Sequence, residues 1–439
     1  MVVKPRDISG LAYYSEAENC ALARWMREIE DTYRLFGFTR LFPRPLELRD
    51  VLLSKGGIQK QVFGVSRLPA DSPTDLALPF DRTVPLANWI AKNAADVVFP
   101  YKRYDISYSF RGERAQTGRF QAFYQADVDI IGRGTLDLNA DAECIAVIYE
   151  ALRRLSVGNF KMCLNHISLA NSIVGCLGVP AEAVRDVLTI VDKLDKVGAA
   201  AAMAELTNDL RVDASTAAAL VERFCFEGNI AGFRTMYRCH SAAIDQSLEE
   251  LQTVWAALVN LGVPADNLSF SPKNVRGLDY YSGVVFETFL IGRASFGSVA
   301  SGGRYDDLAS TFTSLKLPGV GGSIGVTRLF SAATREGFIG LTRRSESQVF
   351  VGFRTPELRP LAQTIAAALR ACGFGVDLFS ASANVSKQLS YAARTGITVA
   401  VVAMAQQSFV VRDLKTGRQI DISDYEEIAA KVKPLVARP

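Results

Sequence analysis

The sequence predicts an α+β protein. It would hold an antiparallel-sheet domain carrying a helical insertion, followed by a small α/β domain. Three observations predict this. Two extended runs, 101–111 and 119–132, flank a polar loop and read as an antiparallel pair. Between about 178 and 262, alanine and leucine rise while β-branched runs thin out, which reads as inserted helices. Beyond 348, strand and helix patterns alternate at short intervals. The expected boundaries are 1–336 for the larger domain, 337–347 for a polar linker and 348–439 for the smaller domain.

In chain order, Ser15 and Glu18 form a capping-box pattern at the start of a helix over 15–36. Leu22, Trp25, Met26, Ile29, Tyr33 and Phe36 recur at helical spacing, and Gly37 stops it. The paired runs come next, joined by the loop from Gly112 to Gly118, which is longer than a tight hairpin needs. Asp213 precedes one helical pattern of the insertion as a cap. Strand character returns at 283–291 and 296–301, and a helix starts near Gly325 and runs to about Glu336. The final segment reads as strand Val349–Phe353, helix Pro356–Cys372, strand Val376–Phe379, helix Asn384–Arg394 and strand Ile397–Ala403. Strands Phe409–Leu414 and Gln419–Ile422 and a last helix complete it.

Composition excludes several classes. With 439 residues, 49% hydrophobic and 22% charged, the chain is an ordinary globular mixture and not a disordered one. Its net charge of +3 excludes a histone-like polycation. There is no apolar run long enough for a membrane span, and no signal-peptide core at the start. Seven cysteines without a Cys-x-x-Cys pair fit reduced thiols and a cytoplasmic setting. Only two histidines, His166 and His240, are present, so a multi-histidine metal site is impossible.

The run 119–132 carries the most chemistry. Gln121, Phe123, Gln125, Asp127 and Asp129 share one face by strand alternation, and Ala122, Tyr124, Ala126, Val128 and Ile130 share the other. A polar strand face is ordinarily solvated. Here the partner strand brings Arg103 and Arg111, and the loop adds Arg114 and Arg119. Arginines beside acceptors, with no Walker lysine, suggest phosphate binding on an antiparallel sheet. Two further clusters are Arg276-Gly277-Leu278-Asp279-Tyr280-Tyr281 and Ser298-Val299-Ala300-Ser301-Gly302-Gly303-Arg304-Tyr305-Asp306, the latter followed by Gly319 to Arg328.

In this order, the clusters resemble the signature segments of class II aminoacyl-tRNA synthetases of the histidyl type. Phe110-Arg111-Gly112-Glu113-Arg114 resembles the second class motif, and Gly321 to Arg328 the third. Arg276 to Tyr281 is similar to the histidine-specific element, and Asp81-Arg82-Thr83-Val84-Pro85 to the Asp-x-Thr-x-Pro element. Lys387-Gln388-Leu389 with Tyr391-Ala392 resembles the anticodon-domain helix. Arg44, between Pro43 and Pro45, departs from the first motif, which has proline there.

The resemblance implies a class II antiparallel-sheet catalytic domain with a C-terminal anticodon-binding domain, and a histidine–tRNA ligase using ATP and Mg²⁺. Arg111 and Arg328 would hold ATP phosphates, Glu113 would contact the adenine side, and Arg276 would act at the α-phosphate. The ammonium of histidine would face Asp81, Thr83 and Gln125, and the imidazole would be read by Asp129 and Tyr281. Tyr280, Gly302, Gly303 and Tyr305 would line the pocket, and Arg114 and Gln116 would approach the tRNA acceptor end. Implied partners are tRNA(His), histidine, ATP and a second copy of the chain. A regulatory paralogue, of the kind that serves ATP phosphoribosyltransferase, is the competing reading. Such proteins lack the terminal domain and degrade the arginine set, whereas both are present here. A plain RNA-binding module is disfavoured by the carboxylates.

Overall fold

The computed structural model describes residues 3–54, 59–68, 75–114, 118–237, 241–275 and 280–436. The chain divides into two compact units, Met1–Ala12 with Met26–Phe338, and Tyr13–Trp25 with Ile339–Pro439. Among the described residues no helix is long and apolar enough to cross a membrane.

The first unit is built on an eight-stranded sheet. Its strands are β1 (Thr39–Arg40), β2 (Tyr101–Phe110), β3 (Ala122–Ile131), β4 (Phe160–His166), β5 (Leu268–Phe270), β6 (Val284–Leu290), β7 (Ser298–Tyr305) and β8 (Gly319–Ile324). They lie in the order β1-β2-β3-β8-β7-β6-β4-β5. Every pairing from β2 to β4 is antiparallel, and only the two edge strands pair in parallel. Helix α1 (Glu16–Leu35) precedes β1 and belongs to this unit from Met26 onward, while α2 (Thr83–Asn93), α3 (Asn139–Arg154) and α4 (Ile167–Cys176) come from the connections. The capping box of α1 forms as its residues predict: the Ser15 backbone N–H donates to Glu18 Oε2 at 2.8 Å. The hydroxyl of Tyr33 on α1 donates to the Ala126 carbonyl at 3.0 Å, anchoring the helix to β3.

Helical sequence between 178 and 262 forms α5 (Val184–Val191), α6 (Ala199–Asn208), α7 (Ala214–Phe224) and α8 (Ala242–Asn260), with shorter turns between them. Asp213 caps α7, its Oδ1 accepting from the N–H groups of Ser215 and Thr216. Helix α8 packs along α3, α4 and β4, so this last stretch belongs to the helical cover of the sheet. His166 joins the two layers. Its Nδ1 accepts from the Ser168 N–H at 3.1 Å, and its Nε2 lies 2.9 Å from Glu250 on α8. It is a buried helix cap.

The second unit carries a five-stranded sheet of β9 (Val349–Phe353), β10 (Val376–Leu378), β11 (Val399–Ala405), β12 (Ser408–Asp413) and β13 (Gln419–Ile422), in the order β10-β9-β11-β12-β13. Helices α9 (Arg359–Ala371) and α10 (Val385–Arg394) pack on β9 from the two core clusters that its alternating residues feed. Val349, Val351 and Phe353 face α9, and Phe350 faces Ala392 of α10. Gln388 is fully buried. Its side-chain amide both accepts from the Phe353 N–H and donates to the Phe353 carbonyl, at 3.0 and 2.7 Å, which locks α10 to the strand.

Candidate active site on the antiparallel sheet

The register places chemistry in rows across one face of the large sheet. One row reads Asp105, Asp127, Ser323, Ser301 and Glu287 along β2, β3, β8, β7 and β6. The next reads Arg103, Asp129, Gly321, Gly303 and Val285. Two-residue alternation brings these side chains to one surface, although β2 and β6 are about 180 positions apart. The polar face of β3 is not solvated: Asp127 is 5% exposed and Asp129 2% exposed.

Buried carboxylates need partners, and this cluster supplies them. Arg103 Nη2 pairs with Asp129 Oδ2 at 2.6 Å, and Arg82 Nε with Asp105 Oδ2 at 2.9 Å. Arg103, grouped above with the phosphate-binding arginines, is thus a buried counterion of the carboxylates. Its place at the Asp129 register position, deep on β2, takes it away from an open phosphate site. The hydroxyl of Tyr305 donates to Asp129 Oδ1 at 2.7 Å. Burial raises Asp129 to about 6 against the pull of Arg103 and Tyr305, and raises Asp127 to about 7.

Glycine makes this geometry possible. Tyr305 stands on β7 and Asp129 on β3, with β8 between them. A Cβ at Gly319 would strike the Tyr305 ring, and one at Gly321 would strike the Asp129 carboxylate. Their absence lets the tyrosine lie across the intervening strand. Gly303 has the same parity, and a Cβ there would come within 3.1 Å of Tyr281. Gly302 was expected to line the pocket with Gly303. Strand alternation instead turns it to the helix-covered face, where a Cβ would meet Phe286 and the backbone of β8.

Beside the cluster, a cleft open to solvent contains Arg111, Glu113, Arg119, Phe123, Gln125, Glu287, Ser301, Ser323 and Arg328 in its walls. The Arg111 guanidinium lies 4.7 Å from the Phe80 ring and 5.2 Å from the Phe123 ring. Such stacking holds a planar cation without occupying most of its donors. Arg328 follows the turn from β8 into a helix spanning Val326–Arg335. Its Nε and Nη1 each donate at 3.0 Å, to the carbonyls of Gly118 and Ser298. Glu113 pairs with Arg119 at 3.6 Å.

Asp81 is half-buried and caps α2: Oδ1 accepts from the N–H groups of Thr83 and Val84 at 3.0 and 2.9 Å. Burial raises its pKa, opposed by those bonds and by Arg111. Thr83 is the first residue of the helix. Tyr280 and Tyr281 meet edge to face, with ring centroids 4.6 Å apart. Burial raises Tyr280 to about 12, and Asp81 adds to it. Arg114 is exposed. Arg276 and Gln116 lie outside the described residues.

The arrangement therefore gathers Arg111, Arg328, Glu113 and Gln125 in one cleft, with Asp129, Tyr305, Gly303 and Tyr281 in the adjoining buried cluster. Sequence reasoning did not assign roles to Asp127, Ser323, Ser301 and Glu287. Parity was the available signal for Asp127, Ser323 and Ser301, whose strands carry other site residues at odd positions, whereas Glu287 joins the row only through register.

The chain matches the family model described as histidyl-tRNA synthetase over residues 10–329, and the anticodon binding domain model over 348–434. It is 35% identical to the histidine–tRNA ligase of Xanthomonas axonopodis pv. citri (strain 306), over 98% of this chain and 96% of that one. It is 36% identical to the histidine–tRNA ligase of Stenotrophomonas maltophilia (strain K279a), over 96% of each. The crystal structure of histidyl-tRNA synthetase from Nostoc sp. PCC 7120 superposes with a TM-score of 0.89 at 30% identity, over 99% of this chain and all of that one.

Proposed function

The chain belongs to the histidyl-tRNA synthetase family and is a histidine–tRNA ligase, and from that premise we propose how its residues divide the work. ATP enters the cleft as its Mg²⁺ complex. Arg111 and Arg328 bind its phosphates, Glu113 meets the adenine side, and Arg276 stabilises charge developing at the α-phosphate. Histidine sits over the glycine-floored cluster. Asp81, Thr83 and Gln125 receive its ammonium, Asp129 and Tyr281 read the ring, and Tyr280, Gly303 and Tyr305 shape the walls.

In this reading the histidine carboxylate attacks the α-phosphorus and pyrophosphate leaves. No enzyme nucleophile is needed, because positioning and fixed positive charge lower the barrier. A hydroxyl at the tRNA 3′ end then attacks the acyl carbon, and AMP departs. Arg114 and Gln116 approach that acceptor end, and the C-terminal unit engages the anticodon. The protein works in the cytoplasm as a homodimer.

The observation that carries this assignment is the meeting of Arg111 and Arg328, 217 positions apart, in one cleft beside the buried Asp129–Tyr305 pair. ATP–pyrophosphate exchange with purified protein tests it. Exchange should rise with added histidine and not with other amino acids; exchange indifferent to histidine would overturn the residue roles.

A further inference from the structure

Among the described residues, two acceptors on the site face of β3 have no donor. Asp127 Oδ1 and Gln125 Oε1 are both buried and unpartnered. They belong to neighbouring positions of the same strand face, and Gln125 also lines the cleft. Gln125 Nε2 donates to Ser323 Oγ at 2.9 Å, and Ser323 stands opposite Asp127 in the β3–β8 register. Gln125 and Asp127 thus present their free oxygens from successive positions of one strand face.

A buried acceptor without a donor is costly in a folded protein and calls for an explanation. The surrounding charge says which donor would relieve it. Four carboxylates, Asp81, Asp105, Asp127 and Asp129, share this region with the two buried cations Arg82 and Arg103. The missing partner is cationic. Asp129 is already served at both oxygens, by the Tyr305 hydroxyl and by the ion pair with Arg103, whose Nε and Nη2 make no hydrogen bond of good geometry, and Asp81 spends Oδ1 on the turn into α2. An ammonium group carries three donors, one positive charge and no acceptor. It fits two adjacent free oxygens better than a neutral imidazole, which has a single donor.

We propose that Asp127 is a further substrate-binding residue, whose Oδ1 accepts, together with Gln125 Oε1, from the α-ammonium of the bound amino acid. This rests on the reading of the cluster as the histidine pocket. It adds Asp127 to Gln125, Asp81 and Thr83 at the amino end and leaves the Asp129–Tyr305 pair to the ring.

Calorimetry with three ligands on the full chain tests it: histidine, histidinol, and imidazolepropionate, which keeps the ring and carboxylate but lacks the ammonium. Asp127→Asn should weaken histidine and histidinol by about 10- to 100-fold, the loss of one charged hydrogen bond. It should leave imidazolepropionate within about twofold. In steady state the change should fall on KM for histidine more than on kcat. Asp127→Ala, read with the same ligands, guards against an awkward fit of the asparagine amide beside Arg103. Equal losses for all three ligands, no loss for any, or failure of both variants to fold would make Asp127 structural and overturn the proposal. Wild-type protein that binds neither histidine nor histidinol would instead remove the histidine-pocket reading beneath it.

Discussion

Tyr305→Phe removes one oxygen and leaves the ring over Gly319. The lost bond is 2.7 Å long and ends on Asp129 Oδ1, a side chain 2% exposed. Hydrogen bonds to charged groups contribute about 1.5–3 kcal/mol, so histidine kcat/KM should fall about 10- to 100-fold. The pH dependence adds a second signature. Burial lifts Asp129 to about 6, while Arg103 and Tyr305 hold it down. Deleting the hydroxyl removes one restraining influence, so the carboxyl climbs further and is protonated more at neutral pH. The defect should therefore deepen at acid pH and shrink in alkali. Histidine-dependent pyrophosphate exchange between about pH 6 and 9 reads both effects, with thermal unfolding as the control. A kcat/KM within about twofold of wild type, or a loss constant across the pH range, would refute the role given to this pair.

Arg111→Ala and Arg328→Ala should each cut exchange about 100-fold or more while leaving histidine binding within about twofold, because they address the phosphates; a matching loss of histidine affinity would contradict that. Gly321→Ala drives a methyl into the Asp129 carboxylate and to 3.2 Å from the Val128 carbonyl. It should cost about 1–3 kcal/mol in chemical denaturation and abolish measurable histidine binding; unchanged stability and affinity would show that the floor has slack. Asp127, Asp129 and Asp141 are raised to about 7, 6 and 6. From about pH 4 to 7 the folded chain thus binds more protons than the unfolded one, and ligand-free stability should fall as pH rises through that window. Asp127→Asn escapes this penalty. It should be more stable than wild type at pH 8, by at most about 4 kcal/mol, with the difference vanishing near pH 4; equal denaturation midpoints at pH 8 would sink the argument.

Much of the fold was legible because its signals are local. Ser15 and Glu18 announce α1, Asp213 announces α7, and the strand–helix alternation after 348 follows from short periodic runs. The two faces of β3 were legible for the same reason. What fills the polar face was not. The polar face of β3 is buried because β8, β7 and β6 arrive beside it from some 150–200 positions away, and no periodicity within 119–132 encodes that. The same distance hides Arg103 as a counterion: its partner is fixed by register, which the sequence specifies only through the paired strands. Gly302 shows the reverse limit. Adjacent glycines look equivalent in a motif, yet the pleat sends them to opposite faces. The capping duty of Asp81 follows from where α2 begins, which the Asp-x-Thr-x-Pro element did not reveal.

The floor formed by Gly303, Gly319 and Gly321 has no side chains left to trim. Point mutation cannot deepen that floor. Nor can it raise the floor cleanly, because a methyl at Gly319, Gly321 or Gly303 meets Tyr305, Asp129 or Val285 first. Redesign toward a larger amino acid must find its room by cutting back Tyr281 or Tyr305, and shortening Tyr305 also removes the hydroxyl bonded to Asp129. Selectivity on this sheet is thus hard to move in either direction by a single substitution.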